Sequence, residues 1–207
     1  MTPKPLLVLG TGNRKKGEEL AKLLAPAGLE LRTLADYPQA ISVVEDGDSF
    51  TANAILKATQ QARHLGQWVA ADDSGLMVDA LGGAPGVFSA RYAGPNATDA
   101  TNNARLLDEL ADTPAAERAA QFVCHIAVSD PAGTVRAQSE AFCRGRILFA
   151  PQGSHGFGYD PLFEIVEYHH SFGQLSDLVK SYLSHRARAT RRLLPRLIEL
   201  IDAGAWK

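Results

Sequence analysis

The 207-residue sequence predicts a mixed α/β domain with two lobes and a cleft. Three observations carry that prediction. Short apolar runs alternate with helix-period segments through the first half of the chain. Two long strand-like runs then flank the turn Asp130-Pro131-Ala132-Gly133, which predicts a long hairpin set into the later half. The hydrophobic fraction, 45%, is enough to fill a core at this length.

The elements follow in order. Pro5 to Leu9 reads as a buried first strand, ended by Gly10-Thr11-Gly12-Asn13. A helix starts near Arg14, with Leu20, Leu23 and Leu24 on one face and Gly28 near its end. Leu29 to Thr33 reads as a second strand. Glu45-Asp46-Gly47-Asp48 is an acidic turn, after which Ser49 can cap a helix running to about Leu65. Phe50, Ala54, Ile55, Ala58 and Ala62 form its apolar stripe. Trp68 to Ala71 is the next strand, and it delivers Asp72-Asp73 into what reads as a Ser74-Gly75 turn. The Gly- and Pro-rich stretch from Leu81 to Pro95 reads as a structured loop, and Thr98 or Asp99 opens a further helix through Leu106, Leu107 and Leu110. The hairpin strands run from Gln121 to Ser129 and from Val135 to Ile147; symmetric pairing about their turn keeps Cys124 and Cys143 apart and predicts no disulfide. Gly153 to Pro161 is a second glycine-rich loop. The last helix starts near His185, with Leu193, Leu194, Leu197, Ile198 and Ile201 as its core face and Pro195 predicting a kink or a late start.

Net charge is -2, so no global basic field points to nucleic acid, and an anionic ligand must be met by local positive charge. The two cysteines lack the spacing of a zinc site and fit buried thiols in a reducing compartment. No apolar run approaches a membrane span or the hydrophobic region of a signal peptide. These features together predict a soluble cytoplasmic protein.

The adjacent carboxylates Asp72 and Asp73 are the centre of the chemistry. Neighbouring strand residues point to opposite faces, so only one of them can look into a given cleft. The other must be satisfied by hydrogen bonds or water, and the pattern leaves open which is which. A carboxylate so placed suits divalent metal binding or activation of water. At the first strand-to-helix junction, Thr11-Gly12-Asn13-Arg14-Lys15-Lys16 puts three cations at a helix N-terminus, where they oppose the helix dipole unless an anion is bound. Mg²⁺ takes one or two carboxylates plus water and phosphate oxygens, and Glu45 with Asp73 would supply that minimal set. Asn53 and Lys57, one helical turn apart, share a face. Both could point at phosphate, or Asn53 could brace a loop while Lys57 pairs with a local acid. In Phe157-Gly158-Tyr159-Asp160-Pro161, aromatic faces suit a nucleobase and a carboxylate can accept from ring N–H groups. Ser184-His185-Arg186 offers donors suited to a base carbonyl. Arg188, Arg191, Arg192 and Arg196 read as the wet face of the last helix.

These segments, in this order, resemble the inosine triphosphate pyrophosphatase family, in particular its bacterial dITP/XTP pyrophosphatase branch. The matching stretches are Thr11 to Lys16, Glu45, Asn53 to Ala58, Ala71 to Leu76, Leu81 to Val87, Ser89 to Tyr92, Phe157 to Pro161, Lys180 and Ser184 to Arg186. Ala52, Ser154-His155 and Leu178-Val179 depart from the usual pattern. The resemblance implies an elongated fold with a central nucleotide-binding cleft between two lobes, a homodimer, and Mg²⁺-dependent hydrolysis of ITP, dITP and XTP to the monophosphate and pyrophosphate. It implies that Thr11, Gly12, Asn13, Arg14, Lys15 and Lys16 hold the triphosphate, and that Glu45 and Asp73 hold Mg²⁺. Asp73 would also accept the proton of the attacking water. Ser74, Phe157, Gly158, Tyr159, Asp160, Lys180, His185 and Arg186 would bind substrate, chiefly its base and sugar end. A carbonyl at the purine six-position would then accept from His185, Arg186 or backbone N–H groups, whereas an adenine amino group would face donor to donor. Two other readings remain: a Maf-like pyrophosphatase for other modified nucleotides, and a nucleotide sensor that does not hydrolyse.

Overall fold

The computed structural model describes residues 4–206. In chain order the elements are β1 (Leu6–Leu9), α1 (Arg14–Leu24), β2 (Glu30–Thr33), α2 (Phe50–Leu65), β3 (Val69–Val78), α3 (Asp99–Glu109), β4 (Ala119–Ser129), β5 (Val135–Ile147), β6 (Phe163–Ile165), β7 (His170–Ser171), α4 (Asp177–Leu183) and α5 (His185–Asp202). Short 3-10 turns lie between several of them. The strands form one mixed sheet in the order β2-β1-β3-β4-β5-β6-β7. β1 pairs in parallel with β2 and β3, and β6 pairs antiparallel with β5 and β7.

The chain divides into two compact units that the three long strands thread in turn. The first comprises Met1–Asp73, Cys124–Ala141 and Arg186–Lys207, and the second Ser74–Val123 and Phe142–His185. The first unit's main core gathers Leu7 and Leu9 of β1, Leu20 and Leu24 of α1, Ile126 and Val128 of β4, and Leu193 and Leu197 of α5. The second unit's core gathers Leu76 and Val78 of β3, Leu106 of α3, Phe122 of β4, and Phe163 and Phe172.

Local chemistry explains most boundaries. Asn13 caps α1 by accepting from the Lys16 N–H at 3.1 Å, Ser49 caps α2 from Ala52 at 3.2 Å, and Thr98 caps α3 from Thr101 at 3.2 Å. Gly28 and Gly66 take left-handed conformations at the ends they close. In the hairpin turn, the Asp130 carboxylate accepts from the Ala132 and Thr134 N–H groups at 3.0 and 2.9 Å, and Gly133 takes the positive φ. Both cysteines are free and buried, as the hairpin predicts.

The structure departs from the sequence reading at four places. Ser74-Gly75 is no turn: β3 continues through it to Val78. Gly75 serves close approach instead, because a Cβ there would meet Ser89 Oγ and lie 2.7 Å from the Gly86 carbonyl oxygen. The short helix α4, capped by Ser176, was not foreseen. α5 runs unbroken through Pro195, which lies on its exposed side. On α5, Ile198 is exposed and Leu200 takes the core position. Among the described residues no helix is long and apolar enough to cross a membrane.

Gly75→Ala is expected to destabilise the protein by about 1–3 kcal/mol, the usual cost of overpacking. Adding Ser89→Ala should recover only part of that, since the Gly86 carbonyl and Ser89 Cβ, at 2.9 Å, remain in the way. Thermal unfolding of the single and double variants checks both.

Candidate active site

In the first unit, charged side chains from α1, α2, β3 and α5 converge. Strand alternation sends Asp72 and Asp73 to opposite sides of β3, and the two meet different partners. Asp72 is fully buried and accepts from Arg186 Nε at 3.1 Å, with Lys16 Nζ 4.0 Å away. Arg186, at the N-terminus of α5, gives a second bond from Nη1 to Glu19 of α1 at 2.7 Å. Asp73 accepts from Lys57 Nζ at 2.9 Å and from the Asn53 amide at 3.3 Å. The same Lys57 ammonium donates to Glu45 at 2.9 Å. Asn53 also braces the acidic turn, its Oδ1 accepting from the Gly47 N–H at 2.9 Å.

The two aspartates titrate in opposite directions. Burial alone would raise Asp72, but Arg186, then Lys16 and Lys57, outweigh it and hold the carboxyl well below its usual range. For Asp73, burial wins over Lys57 and Lys16, and the carboxyl sits above its ordinary value. Glu45 is held low, because Lys57 outweighs its burial. Burial works against Lys57 too, yet the fields of Asp73 and Asp72 keep its ammonium above the usual lysine value. Lys16 goes the other way: burial, helped by Arg186 and Lys57, lowers it despite Asp72.

The rest of the Thr11–Lys16 segment is open. Thr11 Oγ1 accepts from the Asn13 N–H at 3.2 Å, Gly12 and Lys15 are exposed, and Arg14 pairs with Glu18 across one exposed turn. Lys16 turns towards Asp72.

In the second unit, Lys180 of α4 donates to Asp160 at 2.6 Å and lies 4.7 Å from the Phe157 ring centroid. Asp160 also accepts from the Phe157 N–H at 2.8 Å. Gly158, with φ near +62°, is pinned on both sides of its backbone. Its N–H donates to Asp99 at 2.8 Å and its carbonyl accepts from Asn103 at 3.1 Å, both on the first turns of α3. Tyr159 is buried, and its hydroxyl donates to the Ser89 carbonyl at 2.9 Å. His185 stacks on Phe122, centroids 4.8 Å apart and planes at 12°. Ser74 lies half-buried on β3.

The structure thus gathers Lys16, Glu45 and Asp73 in one place, and Phe157, Asp160 and Lys180 in another. Arg186, for which the resemblance implies a substrate contact, holds Asp72 and Glu19. The Tyr159 hydroxyl is likewise occupied by backbone. Glu19, Asp99 and Asn103 were not foreseen. The i, i+4 spacing of Asp99 and Asn103 puts them on one helix face, the only signal the sequence held for them. Among the described residues no group of three or more His, Cys, Asp or Glu is arranged to hold a metal. The oxygen donors Glu45 and Asp73, already drawn onto one cation, suit a hard ion that completes its shell with water and phosphate.

The Ham1 family model matches residues 7–196. A dITP/XTP pyrophosphatase of Rhodopirellula baltica is 54% identical over 199 residues, covering 96% of each chain. One from Geobacillus kaustophilus is 46% identical, covering 94% of this chain and 95% of its own. Among solved structures, a HAM1 protein from Coxiella burnetii superposes with a TM-score of 0.85 at 35% identity, covering 94% of this chain and 98% of that one.

A carboxylate depressed by folding stabilises the protein above its unfolded pKa, and that contribution fades as the pH falls towards its folded pKa. Asp72→Asn is therefore expected to lower Tm at neutral pH, with the gap to wild type narrowing below about pH 4. Arg186→Met, which strands a buried carboxylate, should cost about 3–5 kcal/mol at neutral pH. Thermal unfolding across a pH series checks both expectations.

Proposed function

The chain belongs to the Ham1 family, and on that premise we propose that it hydrolyses non-standard purine nucleoside triphosphates (ITP, dITP and XTP) to the monophosphate and pyrophosphate. The observation that carries this reading is the opposite treatment of two neighbouring aspartates. Asp72 is locked as an ion, while Asp73, lifted above the ordinary carboxylate value, stands beside Glu45, Lys57 and Lys16.

Glu45 and Asp73 would hold Mg²⁺, whose charge neutralises phosphate oxygens when it is bound. Lys16 adds a fixed positive charge, and the exposed Gly12–Lys15 segment at the start of α1 offers N–H groups and cations to the outer phosphates. Asp73 orients the attacking water and takes its proton; a raised pKa suits a carboxylate to that task. The new bond joins the water oxygen to the α-phosphorus. The bond to the bridging oxygen breaks, and pyrophosphate leaves with that electron pair.

For the purine base, the resemblance points to the Phe157–Asp160 loop and His185. The Phe157 ring offers a stacking face and His185 an imidazole for the six-position carbonyl, while the Asp160–Lys180 pair fixes the loop that carries Phe157. An amino group at the six-position would leave donors unpaired, which is the physical ground for rejecting ATP. The family resemblance adds a cytoplasmic homodimer, testable by light scattering against the 22.2 kDa chain mass.

Incubation with ITP, XTP, GTP or ATP, with and without Mg²⁺, tests the reading. Mg²⁺-dependent pyrophosphate from ITP and XTP, with little from GTP or ATP, is expected. Single phosphate, or no release, would refute it in favour of the Maf-like or sensor alternatives. Asp73→Asn should lower kcat by about 10²–10⁴-fold without lowering Tm at neutral pH.

A further inference from the structure

We propose that Lys57 is the resident cation of the metal seat: its ammonium neutralises Glu45 and Asp73 in the free protein and is displaced when Mg²⁺ binds. The inference rests on the reading that these two carboxylates hold the metal, and goes beyond it by assigning the lysine an exchange role.

The geometry carries the argument. One ammonium lies 2.9 Å from Glu45 Oε2 and 2.9 Å from Asp73 Oδ1. The lysine side chain is 12% exposed and the aspartate 9%, so water screens that contact poorly, whereas Glu45, at 36%, is more open. Mg²⁺ binds carboxylate oxygen at about 2.1 Å. An ion on either of these oxygens would therefore sit no more than about 5 Å from the Lys57 nitrogen, where two cations in a partly buried site repel strongly. Lysine and metal also compete for the same lone pairs. Asn53 holds the other Asp73 oxygen and the Gly47 N–H, so the carboxylate framework stays in place while its cation changes.

The exchange also gives the lysine somewhere to go. Its four-carbon stem, standing on the rigid helix α2, lets the head swing without moving the backbone. A released ammonium next to the metal seat is a natural partner for a phosphate oxygen. Arrival of metal and arrival of phosphate are thereby linked: each relieves what the other creates. In the free protein the same lysine reduces the repulsion between two carboxylates, so its removal leaves a more negative seat that favours an added cation.

The test is Mg²⁺ binding in the absence of nucleotide, by titration calorimetry and by the Mg²⁺-dependent rise in Tm, for wild type, Lys57→Met and Lys57→Gln. Both variants are expected to bind Mg²⁺ at least tenfold more tightly than wild type. They should also melt lower without metal and gain more in Tm when it is added. Unchanged or weaker Mg²⁺ binding in the folded variants would overturn the exchange. If wild type nonetheless releases pyrophosphate in a Mg²⁺-dependent way, the proposed activity survives and only the role of Lys57 falls. If it releases none, the activity falls as well. The glutamine variant keeps a polar head in the seat, so agreement between the two separates loss of charge from loss of packing.

Discussion

The buried contact between Asp72 and Arg186 is the constraint on which the first unit's chemistry depends. A carboxylate with no exposure cannot stay ionised without a partner, and Arg186 supplies one from the first residues of α5. Its second bond, to Glu19, ties the same guanidinium to α1. Three elements far apart in sequence are thus fixed around one charge. Strand geometry then does the rest. With Asp72 committed to one side of β3, Asp73 must face the other, towards Asn53, Lys57 and Glu45. A one-residue slip would exchange the two aspartates and bury Asp73 beside the arginine.

Charge balance around that strand is consistent with a site built for cations and phosphate together. Arg186, Lys16 and Lys57 face Glu19, Asp72, Asp73 and Glu45, three positive groups against four negative. A divalent ion reverses that sign, and the excess positive charge then suits a polyanion. In the second unit the neutral Asp160–Lys180 pair does different work. It fixes the Phe157 backbone and sets an ammonium against the ring.

Much of this was legible in the sequence where the cause was local. Ser49 marks the start of α2 through capping, and Asp130 and Gly133 mark the hairpin turn, because each acts within four residues of itself; at α1 and α3 the sequence shows where the helix starts, and the structure shows Asn13 and Thr98 as the caps. Long-range causes were not legible. Ser74-Gly75 carries the composition of a turn, yet it is strand because the Gly86–Ser89 segment packs against it and only a glycine leaves room. Arg186 follows His185 in sequence, but its partners Asp72 and Glu19 lie more than a hundred residues away, and no spacing rule links them. Pro195 signals a kink or a late start, but α5 already begins at His185, and Pro195 lies on its exposed side while Leu193 and Leu197 join the core. For Lys57 the sequence offered phosphate or a local acid, and the folded protein shows the acid, in duplicate.

The contrast between the aspartates also separates an enzyme from a receptor. A site that only binds phosphate gains from cations and backbone N–H groups, and every carboxylate placed near the ligand works against it. Here two carboxylates are kept where they oppose an anion, and one of them has a raised pKa in spite of a lysine 2.9 Å away. Burying Asp73 costs stability, since a charged carboxylate at neutral pH is held in a setting that favours its protonated form. Helix capping, packing or ligand affinity would each be better served by asparagine at that position. In the proposed reaction, proton acceptance would require the acid and metal binding its charge. On that reading the arrangement around Asp73 is intelligible as catalytic machinery and uneconomical as a binding site alone.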